Sequence, residues 1–292
     1  MHGSLEELYV EVDMCAHGWE RIIDKSPPVE LCARDIIFGE GPVWDKKNGR
    51  LVFTDIIGDT IWSWKPGVGK QALLNPSVKA NGLALDLENR IVVAGWGGRT
   101  VFRQEHDGSW KTLADKWQGK KLNTPNDIVV KSDGSIWFSD NGAGIRGNYM
   151  GDKAPKEMPY RVYRMDAAGD VSVAVDDIER PNGLAFSPDG RTLATCGLHG
   201  RVRLWDLQTG TPQRSLDTED VRLWCVTFSP DGRTVATAGY EGKIGLFDVA
   251  DGQGRLFPAH EGAVTSIVFD PQGDRLLSAG EDRRIELWNA DH

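Results

Sequence analysis

The sequence predicts an all-β fold, a six-bladed β-propeller of four-stranded antiparallel blades. Three observations carry this. One template recurs six times through the 292 residues. Each copy holds short apolar runs of strand length set between turns rich in Gly, Asp and Pro. The last copy stops one strand short, while a spare strand-like run stands just before the first.

Taken in order, residues 1–28 precede the repeat as an N-terminal extension, and 29–292 form the propeller. Runs at 5–10 and 18–24 read as short helical turns ahead of Pro27 and Pro28. The run at 29–35 is the spare strand. The template then opens six times: EGPVWDKKNG (40–49), NGLALDLEN (81–89), NDIVVKSDG (126–134), NGLAFSPDG (182–190), WCVTFSPDG (224–232) and TSIVFDPQG (265–273). A second strand follows each turn, at 51–54, 91–94, 136–139, 192–195, 234–237 and 275–278. Third strands stand at 60–64, 100–103, 161–164, 202–205, 244–247 and 285–288. Weaker fourth strands fall at 71–74, 110–113, 171–174, 212–215 and 255–257. Four short strands in each repeat of some forty residues make one propeller blade. The run at 29–35 supplies the strand that the last blade lacks, which removes the open sheet edges. A longer interval before the fourth copy marks an insertion at 141–159, rich in Gly, Pro and charge, that is a loop between two strands of the third blade.

Composition narrows the function. A net charge of -9 argues against nucleic acid, whose phosphates call for a basic face. No apolar run approaches the roughly 20 residues of a membrane helix, and the first residues do not resemble a signal peptide. A cytoplasmic protein without a membrane partner is expected. Cys15, Cys32, Cys196 and Cys225 form no CxxC pair. They read as free thiols of a reducing compartment, with a disulfide as the alternative.

The opening residue of each template begins an innermost strand, so all six face the central channel at one end. They are Glu40, Asn81, Asn126, Asn182, Trp224 and Thr265. A carboxylate with amide carbonyls converging from separate blades suits a hard divalent cation: Ca²⁺ first, or Mg²⁺, Mn²⁺ or Zn²⁺ with waters. Asn81 is better read as a turn former lining the channel, together with Trp224 and Thr265. His260 reads as structural. The Asp-Gly pairs at 133–134, 189–190 and 231–232 read as hairpin turns, not Ca²⁺ loops. No GxSxG elbow supports Ser-His-Asp chemistry.

The motifs at 39–44, 53–56, 81–84, 125–128, 137–140, 162–164 and 181–184, in that order, resemble the SMP-30/gluconolactonase family. The resemblance implies a lactone- or ester-hydrolysing site with a metal on the positions of Glu40, Asn126 and Asn182. It places Asp127 in the substrate pocket and makes it the candidate base. The family's fourth ligand, an Asp opening the innermost strand of the fifth blade, is replaced by Trp224. That implies a weaker cation site, impaired hydrolysis and a partly filled pocket. From residue 186 the chain resembles WD40 repeats instead: FSPDGRT occurs at 186–192 and at 228–234, and 204–206, 246–248 and 287–289 stand where that family has its Trp-Asp. There His260 and Asp282 imply a hydrogen-bond network complete only in the last blade. Two styles meeting near residue 186 (29–185 and 186–292) imply a hybrid, engineered ring serving as a scaffold. A working lactonase and a WD40-like module for a protein partner are the alternatives.

Overall fold

The computed structural model describes residues 33–149, 151–219, 221–282 and 284–290. Six antiparallel sheets follow one another along the chain, each built in simple up-and-down order. Blade 1 holds β1 (Gly39–Asp45), β2 (Arg50–Asp55), β3 (Thr60–Lys65) and β4 (Gly69–Leu74). Blade 2 holds β5 (Ala80–Leu85), β6 (Ile91–Gly95), β7 (Thr100–Gln104) and β8 (Trp110–Ala114). A small hairpin, β9 (Lys116–Trp117) with β10 (Lys120–Lys121), which the repeat does not predict, leads on to blade 3. That blade holds β11 (Pro125–Val130), β12 (Ile136–Asp140), β13 (Arg161–Met165) and β14 (Val171–Val175). Blade 4 holds β15 (Pro181–Phe186), β16 (Thr192–Gly197), β17 (Arg201–Asp206) and β18 (Thr211–Asp217). Blade 5 holds β19 (Leu223–Phe228), β20 (Thr234–Gly239), β21 (Lys243–Asp248) and β22 (Gly254–Pro258). Blade 6 holds β23 (Val264–Phe269), β24 (Arg275–Gly280) and β25 (Ile285–Asn289).

The predicted architecture is therefore present, with every predicted fourth strand in place through blade 5. Blade 6 has three strands among the described residues. Of the expected closing strand at 29–35, residues 33–35 are not in a strand, and the rest lies outside the described residues. The expected helical turns of the extension lie outside them too.

Strand sequence explains the layering. Second strands are buried almost throughout, as in β6 and β12, because both faces of a blade are covered by its neighbours. That removes the alternation expected of a half-solvated sheet. One apolar cluster fills each successive gap. Val52, Ile61, Leu83 and Phe102 join blades 1 and 2; Ile128, Phe138 and Tyr163 meet Val92 and Val101 between blades 2 and 3. Trp137, Val162, Leu184 and Trp205 join blades 3 and 4. Leu204, Leu223 and Phe247 lie between blades 4 and 5, and Ile244, Ile267 and Leu276 between blades 5 and 6. At 25 cal/mol per Å², each large side chain so buried contributes about 2 kcal/mol.

Local chemistry sets the turns. In both FSPDGRT copies a serine hydroxyl donates to the Asp carboxylate at 2.6 Å and accepts the Thr backbone N–H, at 2.9 Å in blade 4 and 3.0 Å in blade 5. Identical sequence gives identical turns. At the inner end of β2 and β12 an Asp clamps the chain entering the first strand. Asp55 accepts the N–H groups of Ile37 and Phe38, and Asp140 those of Asn123 and Thr124. In the last blade His260 Nδ1 lies 3.0 Å from Asp282, its Nε2 lies 2.7 Å from Ser278 Oγ, and Trp288 Nε1 donates to the same hydroxyl at 2.8 Å. Blades 4 and 5 show only fragments of this network. Trp205 reaches Thr195, while His199 turns to Glu179 and Glu241 to Arg222.

Candidate functional site

Every innermost strand slips in register at its first residues: between Glu40 and Val43, Ala80 and Leu83, Pro125 and Ile128, Pro181 and Leu184, Leu223 and Cys225, and Val264 and Ser266. A bulge re-aims a side chain at a strand end. Here it turns the opening residue of each template toward the ring centre. Glu40, Asn81, Asn126, Asn182, Trp224 and Thr265 all line one cavity of about 1250 Å³.

The residue after the opening one sets how closely neighbouring blades approach. A Cβ on Gly41 would stand 2.4 Å from Asn81 O, one on Gly82 2.5 Å from Asn126 O, and one on Gly183 2.7 Å from Trp224 O. Only glycine allows that approach. Blades 3, 5 and 6 break the pattern, with Asp127, Cys225 and Ser266 at that position; Asp127 is the one with a carboxylate. Its Oδ2 accepts the Leu184 N–H of blade 4 at 2.8 Å, and its Oδ1 accepts the Ile128 N–H at 2.9 Å. The Asp127 carboxylate thus ties blades 3 and 4 together inside the channel, beside the expected ligands Asn126 and Asn182.

The electrostatics centre on two carboxylates. Glu40 is reached by solvent from the channel, yet protein crowds its carboxyl deep in the ring. That desolvation raises its pKa against the single hydrogen bond it takes, from Gly41 N–H. For Asp127, burial raises the pKa to about 7, with the charge of Glu40 adding to it and the two backbone N–H groups opposing it. The same field, after burial, pushes the Cys225 thiol up to about 12. Cys225 and Cys196 are free thiols, and burial raises Cys196 well above its ordinary value too. Neither is an activated nucleophile.

The donor set fits a hard divalent cation. The Glu40 carboxylate is largely unclaimed, and the side-chain amides of Asn81, Asn126 and Asn182 take no hydrogen bond among the described residues. Two carboxyl groups that raise the local negative potential have no cationic partner there. Among the described residues no three of His, Cys, Asp and Glu gather into a cluster, so the set is one of oxygen donors with a single free carboxylate.

Trp224 is among the residues that line the cavity. It lies on the wall, packed edge to face with Tyr240 at 4.2 Å between ring centres. Thr265 donates its hydroxyl to Ala279 O at 3.1 Å and is spoken for. Sequence reasoning missed Trp96, Arg146, Tyr149, Tyr240 and Glu281, which also line the cavity. Arg146 and Tyr149 come from the insertion, which emerges between β12 and β13 as predicted. Its buried Ile145 and Met158 fold it back onto the ring. The one signal for it was the interval between repeats. No helix of the described residues is long and apolar enough to cross a membrane.

Comparison with known proteins agrees with this architecture. A solved gluconolactonase from Xanthomonas campestris superposes with a TM-score of 0.71 at 29% identity, covering 83% of each chain. A curated gluconolactonase from Zymomonas mobilis is 31% identical over 185 residues, 58% of this chain and 51% of its own. The chain spans about half the length of the curated gluconolactonase it matches. A WD repeat-containing protein from Schistosoma mansoni is 37% identical over 106 residues, 36% of this chain and 35% of its own, so the WD40 likeness is partial. The model of the SMP-30/Gluconolactonase/LRE-like region matches residues 38–279, running straight through residue 186. That match lends no support to a junction there or to an engineered origin. With blades 1–5, the first strands of blade 6 and all six opening residues of the channel inside the matched span, the chain belongs to the SMP-30/gluconolactonase/LRE-like family.

Proposed function

We propose that the channel is a lactone-hydrolysing site, in which Glu40, Asn126 and Asn182 hold a divalent cation, Ca²⁺ first, and Asp127 serves as the base. The observation that carries this is the convergence of these four side chains from β1, β11 and β15 on one cavity, in a chain of this family. The cation would polarise the lactone carbonyl when bound. Asp127 is anchored through one lone pair of each oxygen by Leu184 and Ile128, which leaves its remaining lone pairs for a water. It takes a proton as the water oxygen bonds to the carbonyl carbon. The ring C–O bond then breaks, and the proton passes to the departing ring oxygen, giving a hydroxy acid. Trp224 stands where the family resemblance places a second carboxylate, so the cation is held less tightly and turnover is lower than with an acid there.

The test is lactone opening followed by pH-stat, using glucono-δ-lactone with Ca²⁺, Mn²⁺ or Zn²⁺ and with chelator. We expect metal-dependent turnover that falls at least 100-fold in Glu40→Gln (~3 kcal/mol of transition-state stabilisation) and rises in Trp224→Asp. Absence of turnover in both the wild type and Trp224→Asp would leave the ring a scaffold and overturn the proposal.

A further inference from the structure

The wall that Trp224 forms has its own construction. Arg222 stands just before β19 and Trp224 is the second residue of that strand, at its bulge. Glu241, just past β20, accepts Arg222 Nε at 2.8 Å and Arg222 N–H at 3.0 Å. The guanidinium so held lies over the Tyr240 ring, 4.2 Å from its centre. Tyr240 N–H donates to Arg222 O at 2.9 Å, and its ring meets Trp224 at 4.2 Å and 63°. Carboxylate, guanidinium, phenol and indole form a ladder that fixes Trp224 in place. Cation–π and edge-to-face contacts of this kind each favour a defined geometry.

What this wall offers a ligand is apolar. The cavity is lined as well by Cys225, whose thiol is aimed at Ala238 O, Val226 and Leu198. Thr265 has its hydroxyl committed to Ala279. A sugar lactone carries several hydroxyls, and a hydroxyl buried without a partner costs about 1–3 kcal/mol. The indole N–H of Trp224 makes no hydrogen bond among the described residues, so it is one free donor in an aromatic surface. The cavity, about 1250 Å³, also exceeds the roughly 300–1,000 Å³ of ordinary ligand pockets. There is room for a second ring beside the lactone.

We infer that Trp224, braced by Tyr240, Arg222 and Glu241, is an aromatic platform that selects lactones fused to or carrying a planar apolar ring over polyhydroxylated sugar lactones. This rests on the lactonase reading for its substrate class, but not for its test. Two lactams that are not hydrolysed serve as probes, 3,4-dihydroquinolin-2-one and δ-valerolactam, its counterpart without the fused benzene ring, with Kd measured by ligand-observed NMR. We expect the wild type to prefer the aromatic lactam about tenfold, as 1.4 kcal/mol of stacking and burial gives. Trp224→Phe should keep most of the preference, Tyr240→Ala should reduce it to about threefold, and Trp224→Ala should abolish it with an unchanged circular dichroism spectrum. Equal affinities in the wild type, or a preference that survives Trp224→Ala, would overturn the inference. Turnover of 3,4-dihydrocoumarin against glucono-δ-lactone separates the two claims. If the lactam preference holds while neither lactone is opened, the platform stands and the lactonase reading fails. If glucono-δ-lactone is opened without any aromatic preference, the lactonase reading stands and the platform fails.

Discussion

Asp140 couples the stability of blade 3 to pH. It ends β12 with its side chain fully buried, accepting the N–H groups of Asn123, at 2.8 Å, and Thr124. Burial raises its pKa to about 6 from the ordinary 3.8, against the pull of those bonds and of the Arg99 charge. The folded value lies above the unfolded one. The stabilisation is therefore complete below pH 3.8 and is lost as pH rises through 6. At 1.36 kcal/mol per pKa unit the full loss is about 3 kcal/mol, of which about 2 kcal/mol falls between pH 4.5 and 7.5. Asp140→Asn removes the titration. It also leaves one backbone N–H facing an amide NH₂, so the variant is weaker by about 1–3 kcal/mol at pH 4.5. Urea unfolding of both proteins at the two pH values, in chelator, isolates the effect. Other groups, Asp127 among them, cancel in the difference. The wild type should lose about 2 kcal/mol more than the variant between pH 4.5 and 7.5. Parallel profiles, or a wild type that gains on the variant as pH rises, would show that the two N–H groups hold Asp140 ionised and would refute the reasoning.

Two further predictions concern the ring itself. Gly183→Ala places a methyl 2.7 Å from Trp224 O and 2.9 Å from Cys196 Sγ; backbone cannot yield as a side chain can, so unfolding free energy should fall by about 1–3 kcal/mol. Gly147→Ala, where nothing stands within 4 Å of the new methyl, should leave the melting temperature unchanged. His260→Ala strips Asp282 and Ser278 of their shared partner at a side chain with no exposed surface. It should cost about 2–4 kcal/mol in urea unfolding, with limited proteolysis opening the chain first in blade 6.

The repeat was legible because a propeller imposes one physical problem six times. Each blade needs an apolar strand, a tight turn and a second buried strand, and NGLALDLEN and NGLAFSPDG solve it alike. The position of the opening residue in that template was enough to bring Glu40, Asn126 and Asn182 to one cavity. The reach of Asp127 was not legible. Its bond to Leu184 depends on how closely two blades approach, and the neighbouring glycines, not Asp127 itself, set that distance. Trp224 was expected to crowd the pocket. Its contact with Tyr240 was not legible, because Tyr240 sits sixteen positions further on in a turn with no pattern of its own. Arg146 and Tyr149 were hidden for the same reason: an insertion shows its length in sequence, but not the direction in which Ile145 and Met158 will fold it. Conversely, the change of style near residue 186 was plain in sequence and has little consequence in space. Trp137 and Phe186 pack edge to face at 5.5 Å across it, as any two neighbouring blades would.

Lactone hydrolysis in this channel requires that the ring centre hold a cation. Crystals soaked in Mn²⁺ and measured for anomalous scattering answer this without reference to any substrate. We predict one strong peak in the channel flanked by the oxygens of Glu40, Asn126 and Asn182, and its loss in Glu40→Gln crystals grown alike. A channel without a peak at saturating Mn²⁺, or a peak that persists in Glu40→Gln, would contradict it.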